Sequence, residues 1–296
     1  MRGKVVYIVS TFVLLALILY LFAPLINFPR QSRAEVIDLQ AFTRIIFLYN
    51  LSIVNMEKSF YTSVLENASQ VLESISENLD ELSKIEKNID LGYSELGDTI
   101  FKAVKSYREI GLASKLVLNA SILLSRVVPK VSLALNLLLE CRVDEGLSLW
   151  NQVKDDFKEV KELLKGSLEH LANVKEDDLL SKNHRMAYEK GVEEISETLQ
   201  MLQEVEKAFK IVKEHSKAFE ELCKARKEGR NPNLDKSVLQ QLAQKLSKLN
   251  PGKARKFGYE IALLKSFLKS CQCTSKGGKS GGKGQGAGYV PPSSDD

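Results

Sequence analysis

The N-terminal segment of this sequence lacks charged residues. Between Lys4 and Arg30 there is no Asp, Glu, Lys or Arg, and aliphatic and aromatic residues predominate. A helix of about 20 such residues, rising roughly 1.5 Å per residue, crosses the roughly 30 Å hydrocarbon core of a bilayer. We therefore predict a transmembrane helix from Val5 to Phe28, within a signal-anchor segment of residues 1–29. No comparable uncharged run follows, so the rest of the chain is expected to lie on one side of the membrane.

Two other interpretations of this segment stay open. A cleaved signal peptide has a shorter apolar core, of about 7–15 residues, and a cleavage site of small residues. Here the candidate Ala23 is followed by Pro24, which is unfavourable for cleavage. A prepilin-type leader cut after Gly3 would leave Lys4 at the head of the apolar helix, which fits that pattern poorly. A retained anchor is favoured.

The flanking positive charges do not determine the orientation of the anchor. Arg2 and Lys4 precede it, and Arg30, Arg33 and Arg44 follow it, which is a tie under the positive-inside rule. Two features favour a body outside the cytoplasm. Four cysteines are available for disulfides, and the Asn-x-Ser acceptor pattern for glycosylation occurs more often than the roughly one or two matches expected by chance. The candidate glycosylation sites are Asn50, Asn67 and Asn119.

Glycine and proline are scarce before residue 275, and neither occurs from residue 31 to 91. Apolar residues there recur with alternating spacings of four and three, as in the a/d seam of a coiled coil. The pattern predicts a long amphipathic helix over residues 30–92. If it were continuous, a helix of about 60 residues would be roughly 90 Å long. The positions of the seam are Tyr61, Leu65, Ala68, Leu72, Ile75, Leu79, Leu82 and Ile89.

A helical bundle is predicted over residues 93–273. Its most apolar region, Leu112–Leu139, is interrupted by Pro129 and divided by the charges of Lys115, Arg126 and Lys130. Because charges inside a bilayer are costly, we interpret this region as a central core helix and not as a second membrane hairpin. Helices are predicted over about 94–127, 145–171, 184–227 and 234–249, and a last one from the cap Asn250-Pro251 to about Cys271.

A strong charge of one sign is also lacking, as are the motifs of known enzyme classes. The formal net charge is +4, from 42 basic and 38 acidic residues that are interspersed. Nucleic-acid binding favours a clustered basic face, so we do not expect this protein to bind nucleic acid. Gly278-Lys279-Ser280 resembles the end of a phosphate-binding loop, but position 273 is Cys where the motif needs Gly. We predict no catalytic site, no metal and no cofactor, and a flexible Gly/Lys/Ser-rich tail over residues 274–296.

Cys271-Gln-Cys273 is the most unusual local feature. A zinc site would need four ligands with a second closely spaced pair, and the remaining candidates are scattered. Disulfides fit an exported body, and the sequence leaves three complete pairings open among Cys141, Cys223, Cys271 and Cys273. The three histidines stand singly on charged helical stretches and are predicted to be surface residues. They are His170, His184 and His215.

These patterns predict an all-α protein with one N-terminal transmembrane helix followed by an elongated helical bundle with coiled-coil packing. The functional hypothesis is a structural, scaffolding or protein-docking role at the cell envelope. Expected partners are the membrane and other proteins, or a second copy that packs through the helical seams. The alternative is a sensory or small-ligand-binding helical ectodomain that acts through a membrane partner.

Overall fold

The computed structural model describes residues 39–61, 65–88 and 95–272, with side chains described over 43–60, 67–87 and 98–266. The chain divides into two compact units, Met1–Phe42 and Thr43–Asp296. Nearly all described residues belong to the second unit. The predicted span from Val5 to Phe28 and the predicted tail over residues 274–296 lie outside the described residues.

All regular structure in the described residues is helical, which confirms the prediction of an all-α bundle. Short 3₁₀ segments at Glu176–Asp178 and Pro251–Phe257 precede α5 and α8, respectively. The α-helices are α1 (Leu39–Tyr61), α2 (Leu65–Asn88), α3 (Glu95–Leu139), α4 (Val143–Leu171), α5 (Lys182–Glu214), α6 (Ser216–Glu228), α7 (Lys236–Ser247) and α8 (Gly258–Gln272).

Two antiparallel helices replace the single long helix predicted over residues 30–92. Arg44 of α1 pairs with Glu81 of α2, and Ser74 Oγ of α2 donates to Asn55 Oδ1 of α1 at 3.1 Å. Residues further along α1 thus contact residues earlier in α2, as they do when two helices are antiparallel. The prediction of one continuous helix was therefore wrong. Apolar residues recur with helical spacing in both α1 and α2, and no Gly or Pro lies between the two helices to indicate that the chain turns back.

The apolar seam predicted along α2 packs on the chain's own α3. Ala68, Val71 and Ile75 of α2 form a small buried cluster with Leu118 of α3. The main core cluster draws residues from α1 and α2 and from α3 through α8. The coiled-coil geometry of these contacts stays a prediction.

The predicted end of the third helix at Val127 was wrong, because α3 continues through Pro129 for a total of 45 residues. A proline inside a helix removes a hydrogen bond and crowds the preceding turn. Here the proline itself is exposed, while Val127 and Val131 on either side of it are buried in the core. Burial on both sides of the proline stabilises the helix where local propensity alone would end it.

Among the described residues, α3 is the helix that is long and apolar enough to cross a membrane. Its segment Asp98–Leu139 contains an 18-residue window with a mean hydropathy of 1.7, of which 33% is buried. This is weak evidence for a span, because core helices of globular proteins pass the same test. Within the bundle, α3 contacts α2, α4 and α8, and Val104, Leu118 and Leu135 are completely buried. These contacts support the interpretation of α3 as a core helix.

A tight turn at residues 140–142, with Cys141 at a φ of 66°, reverses the chain between α3 and α4. The two helices approach closely at Gly146, where a Cβ atom would lie 2.9 Å from the carbonyl oxygen of Ala134. Further along, the ring of Trp150 on α4 stacks on that of Phe209 on α5, with centroids 4.2 Å apart. The helices α3, α4 and α5 therefore share one continuous core.

The helix predicted over 184–227 is divided at His215, whose φ of −121° and ψ of 28° are not helical. Gly229 ends α6 in the left-handed conformation that glycine favours at this position. The cap predicted at Asn250 is confirmed, because its side chain accepts from Lys253 N at 3.3 Å. The segment after it is a 3₁₀ helix, kinked where Arg255 adopts a φ of 44°.

Candidate functional site

Four large apolar side chains are exposed on α1 and near the beginning of α5, two in each region. All four lie within four residues of Asn50 or His184, whose side chains are joined across the two helices by a 3.0 Å hydrogen bond. We call these four side chains the apolar patch. Its members are Phe47 (62% exposed), Val54 (40%), Leu180 (46%) and Met186 (55%). Two other exposed side chains of this kind, Leu133 and Tyr259, flank the hydrogen bond between Ser132 and Glu260.

Helix α1 buries polar side chains beside its apolar ones, which include Ile53 and Met56. Ser52, Asn55 and Ser59 are buried, whereas Phe47 and Val54 are exposed. The two buried hydroxyls donate to carbonyl oxygens three or four residues back along the helix, at 3.1 and 2.7 Å. An apolar surface of this kind is typical of an interaction site.

A buried hydrogen-bond network lies between the helices that carry the patch. His184 Nδ1 lies 2.6 Å from Tyr107 Oη, and its Nε2 lies 3.0 Å from Asn50 Oδ1. The backbone N–H of Leu180 donates to Tyr107 Oη at 2.7 Å, and the ring of Tyr49 stacks on that of Tyr107 at 4.2 Å. The network thus joins α1, α3 and the residues that lead into α5.

The prediction that His184 is a surface residue was wrong, because only 7% of it is exposed. Burial lowers the pKa of His184. The other two histidines are half-buried. His170 Nδ1 lies 2.8 Å from Glu109 Oε2, and His215 Nε2 is buried without a hydrogen-bond partner at the junction of α5 and α6. Charged sequence neighbours suggested exposure, but contacts from other helices determine burial.

A shallow cleft with a cavity volume of about 20 Å³, open to solvent, lies between α1 and α5. Gly191 allows α5 to approach α1 there, because a Cβ atom at this position would lie 3.1 Å from Met56 Sδ. Small-molecule sites usually enclose roughly 300–1,000 Å³ and bury most of their ligand, so this cleft is smaller and more open than such a site. Its lining residues are Met56, Glu57, Phe60, Ala187, Lys190, Gly191 and Glu194.

Two ion pairs involve residues close in sequence to members of the patch. Arg44 pairs with Glu81 on α2, and Arg185 lies 3.9 Å from Asp177. Exposed pairs of this kind contribute about 0–1 kcal/mol to stability. A protein interface usually has an apolar centre and a polar rim.

At the other end of α3, Cys141 and Cys223 form a disulfide with their Cα atoms 5.3 Å apart. It ties the turn between α3 and α4 to α6. This pairing is one of those that the sequence left open. The side chains of Cys271 and Cys273 lie outside the described residues.

The three candidate glycosylation sites have different surroundings. Asn67 is exposed near the start of α2, whereas Asn119 and Asn50 are partly buried. Asn50 Nδ2, the atom that would carry a glycan, donates to Ile46 O at 2.9 Å, and its Oδ1 contacts His184. Asn50 is therefore part of the helix packing, and glycosylation at the three sites stays a prediction.

Among the residues that the structure describes, no group of three or more His, Cys, Asp or Glu side chains could hold a metal ion. No known protein family, curated protein or solved structure matches the chain. Function is therefore argued from the site alone. The apolar patch and the His184 network were missed from the sequence because residues 45–54 are mostly apolar on every face of the helix.

Proposed function

We propose that this chain is a membrane-tethered helical bundle that docks a protein partner through the apolar patch, with its body outside the cytoplasm. The observation that carries the proposal is the exposure of Phe47, Val54, Leu180 and Met186 on α1 and near the beginning of α5. Phe47 and Val54 stand outward from a helix whose other large apolar side chains, such as Ile53 and Met56, are buried. Contact with a partner would remove this surface from water, at roughly 25 cal/mol per Å².

A docking role is favoured over the alternative of a small-ligand sensor. The interior between the helices is occupied by side chains, including Tyr107, Phe209, Phe219 and Phe257, each with almost no exposed surface. The cleft between α1 and α5 is open and below the usual size of a ligand site. A surface for a macromolecule fits this arrangement better than an enclosed pocket.

The Cys141–Cys223 disulfide supports a location outside the cytoplasm. Disulfides persist in oxidising compartments and are rare where thiol reductants are abundant. The predicted anchor, with its span from Val5 to Phe28, would tether the body to the membrane surface. Protease added to intact cells is expected to remove the body, and protection until lysis would contradict this orientation.

Site-specific photo-crosslinking in native membranes tests the docking surface. A photoreactive phenylalanine analogue replaces Phe47 or Met186 in the full chain, and Gln152, an exposed residue on α4, serves as the matched control position. We expect a discrete protein adduct from both patch positions and none from the control. An adduct of twice the chain mass would identify the partner as a second copy.

A second substitution in the patch distinguishes specific docking from crosslinking by random collision. Val54→Ser, in the chain that carries the analogue at position 186, is expected to weaken the adduct by about tenfold or more if the patch is an energetic centre of the interface. The thermal unfolding temperature should stay unchanged because Val54 is exposed. Adducts to lipid alone, or equal adducts from Gln152, would refute the proposal.

A further inference from the structure

The positions of hydrogens in the buried network follow from its donors and acceptors. Tyr107 Oη accepts from Leu180 N–H, so its own hydrogen is directed to His184 Nδ1, 2.6 Å away. Nδ1 is then an acceptor, and Nε2 carries the hydrogen that is donated to Asn50 Oδ1. Asn50 Nδ2 donates to Ile46 O, which is consistent with its Oδ1 being the acceptor. We assign His184 as the neutral Nε2–H tautomer on this basis.

Protonation of His184 would disrupt this arrangement. The added proton has to occupy Nδ1, which faces Tyr107 Oη. That oxygen would then receive two N–H groups, and its own hydrogen would lose its acceptor inside a buried site, where the ring of Tyr49 covers that of Tyr107. An unpaired buried donor and an uncompensated charge are both costly.

Among the described residues, the ring nitrogens of His184 contact the neutral side chains of Tyr107 and Asn50. Nearby polar groups have other partners: Asp178 accepts from Ser106 Oγ at 3.0 Å, and the Tyr49 hydroxyl donates to Ile100 O. Burial is the cause that lowers the pKa of His184. The groups that flank the network are Tyr49 on α1, Tyr107 and Glu109 on α3, His170 on α4, Asp177 and Asp178 in the first 3₁₀ segment, and Arg185 on α5.

We propose that the contact of His184 with Tyr107 and Asn50 is an acid-sensitive switch, and that protonation of the imidazole releases the α1–α2 hairpin from α3 and α5. The hydrogen bonds that join these elements are all satisfied only when the His184 imidazole is neutral. Release would expose the buried face of α1, including Ile45, Ile53 and Met56. Helices α6 to α8 are held by separate contacts and remain folded. This proposal is independent of the docking function.

The sign of the effect follows from proton linkage. The unfolded or released state binds a proton near the ordinary His pKa of about 6.5, whereas the closed state resists it. The equilibrium constant for release therefore rises by up to about tenfold for each pH unit below about 6.5. His170 provides a contrast, because its Nδ1 contacts Glu109 Oε2, at 2.8 Å, and not Tyr107 or Asn50.

Hydrogen exchange of the full chain in lipid nanodiscs, read by mass spectrometry at pH 7.5 and 5.5, tests the proposal. After correction for intrinsic exchange rates, we expect opening of segments 43–60 and 67–87 to rise by up to about tenfold, with no change over 216–266. His184→Gln should abolish the rise, and the matched variant His170→Gln should retain it. Equal opening of all segments, or an unchanged rise in His184→Gln, would overturn the proposal.

Two further measurements keep the proposal testable if His184→Gln does not fold. Asn50→Asp places a carboxylate beside Nε2, which favours the charged imidazole, so the acid-induced opening should be suppressed. In the unmodified chain, imidazole nitrogen shifts should show the Nε2–H tautomer of His184 at pH 7.5. Detection of the Nδ1–H tautomer, or of a charged His184 at that pH, would contradict the assigned network.

Discussion

The Cys141–Cys223 disulfide closes a loop with a sequence separation of 82 residues and joins the turn after α3 to α6. A cross-link of this span reduces the entropy of the unfolded chain, and the chain-entropy relation gives a stabilisation of about 4.5 kcal/mol. Removal of both sulfurs, as in Cys141→Ala with Cys223→Ala, is therefore expected to lower the free energy of unfolding by about that amount.

Urea unfolding of the full chain in detergent, followed by circular dichroism, measures this change. With a slope of about 2–3 kcal/mol per molar urea, the midpoint should fall by roughly 2 M. Cys271→Ala with Cys273→Ala is the matched control, because it replaces two other cysteines and leaves the described disulfide intact. Its midpoint should stay close to that of the unmodified chain.

Two results would refute the reasoning about the disulfide. One is an unchanged urea midpoint in the variant that lacks Cys141 and Cys223. The other is peptide mapping of the unreduced protein, isolated from native membranes, that finds both cysteines as free thiols. The second result would also remove the main structural support for a body outside the cytoplasm.

The remaining predictions concern packing, buried charge and modification. Gly146→Ala should destabilise the bundle by about 1–3 kcal/mol, because its Cβ would crowd a backbone carbonyl of α3 at 2.9 Å; Gly166→Ala on the same helix meets only a side-chain carbon at 3.3 Å and should be nearly neutral in thermal unfolding. Burial raises the pKa of Glu204, but hydrogen bonds from Lys207 and from the backbone N–H after α7 outweigh it and lower the pKa overall. Its stabilisation is thus present at neutral pH and lost as the pH falls through the lowered value, so Glu204→Gln should cost about 1–2 kcal/mol at pH 7 and progressively less as the pH falls through that value. If the body is glycosylated, mass spectrometry should find the glycan on Asn67 and none on Asn50; a glycan on Asn50 would contradict its packing against His184.

Features that depend on local patterns were predicted correctly. The absence of Gly and Pro over long stretches and the helical spacing of apolar residues are local properties, and they correctly predicted an all-α bundle. The cap at Asn250 was also predictable, because a capping side chain bonds to a backbone N–H three residues away. The burial of α3 followed from the apolar character of residues 112–139 together with charges that disfavour a membrane position.

Chain reversals and breaks were less predictable. The α1–α2 hairpin contains no Gly or Pro at its reversal, so one continuous helix fitted the pattern equally well. Pro129 was expected to end a helix, but packing of Val127 and Val131 carries α3 through it. His215 interrupts a helix without any local breaker.

The sequence by itself determined which segments are helical and that their apolar stripes must be buried, since these properties depend on residues three or four apart. Only the tertiary structure decided which helix faces turn inward, because α1 is apolar on several sides and its orientation depends on partners far along the chain. Tertiary packing buried His184 against Tyr107 and Asn50 and left Phe47 exposed. It also brought Cys141 and Cys223 together. The candidate site is made of these long-range contacts, and no local periodicity encodes them.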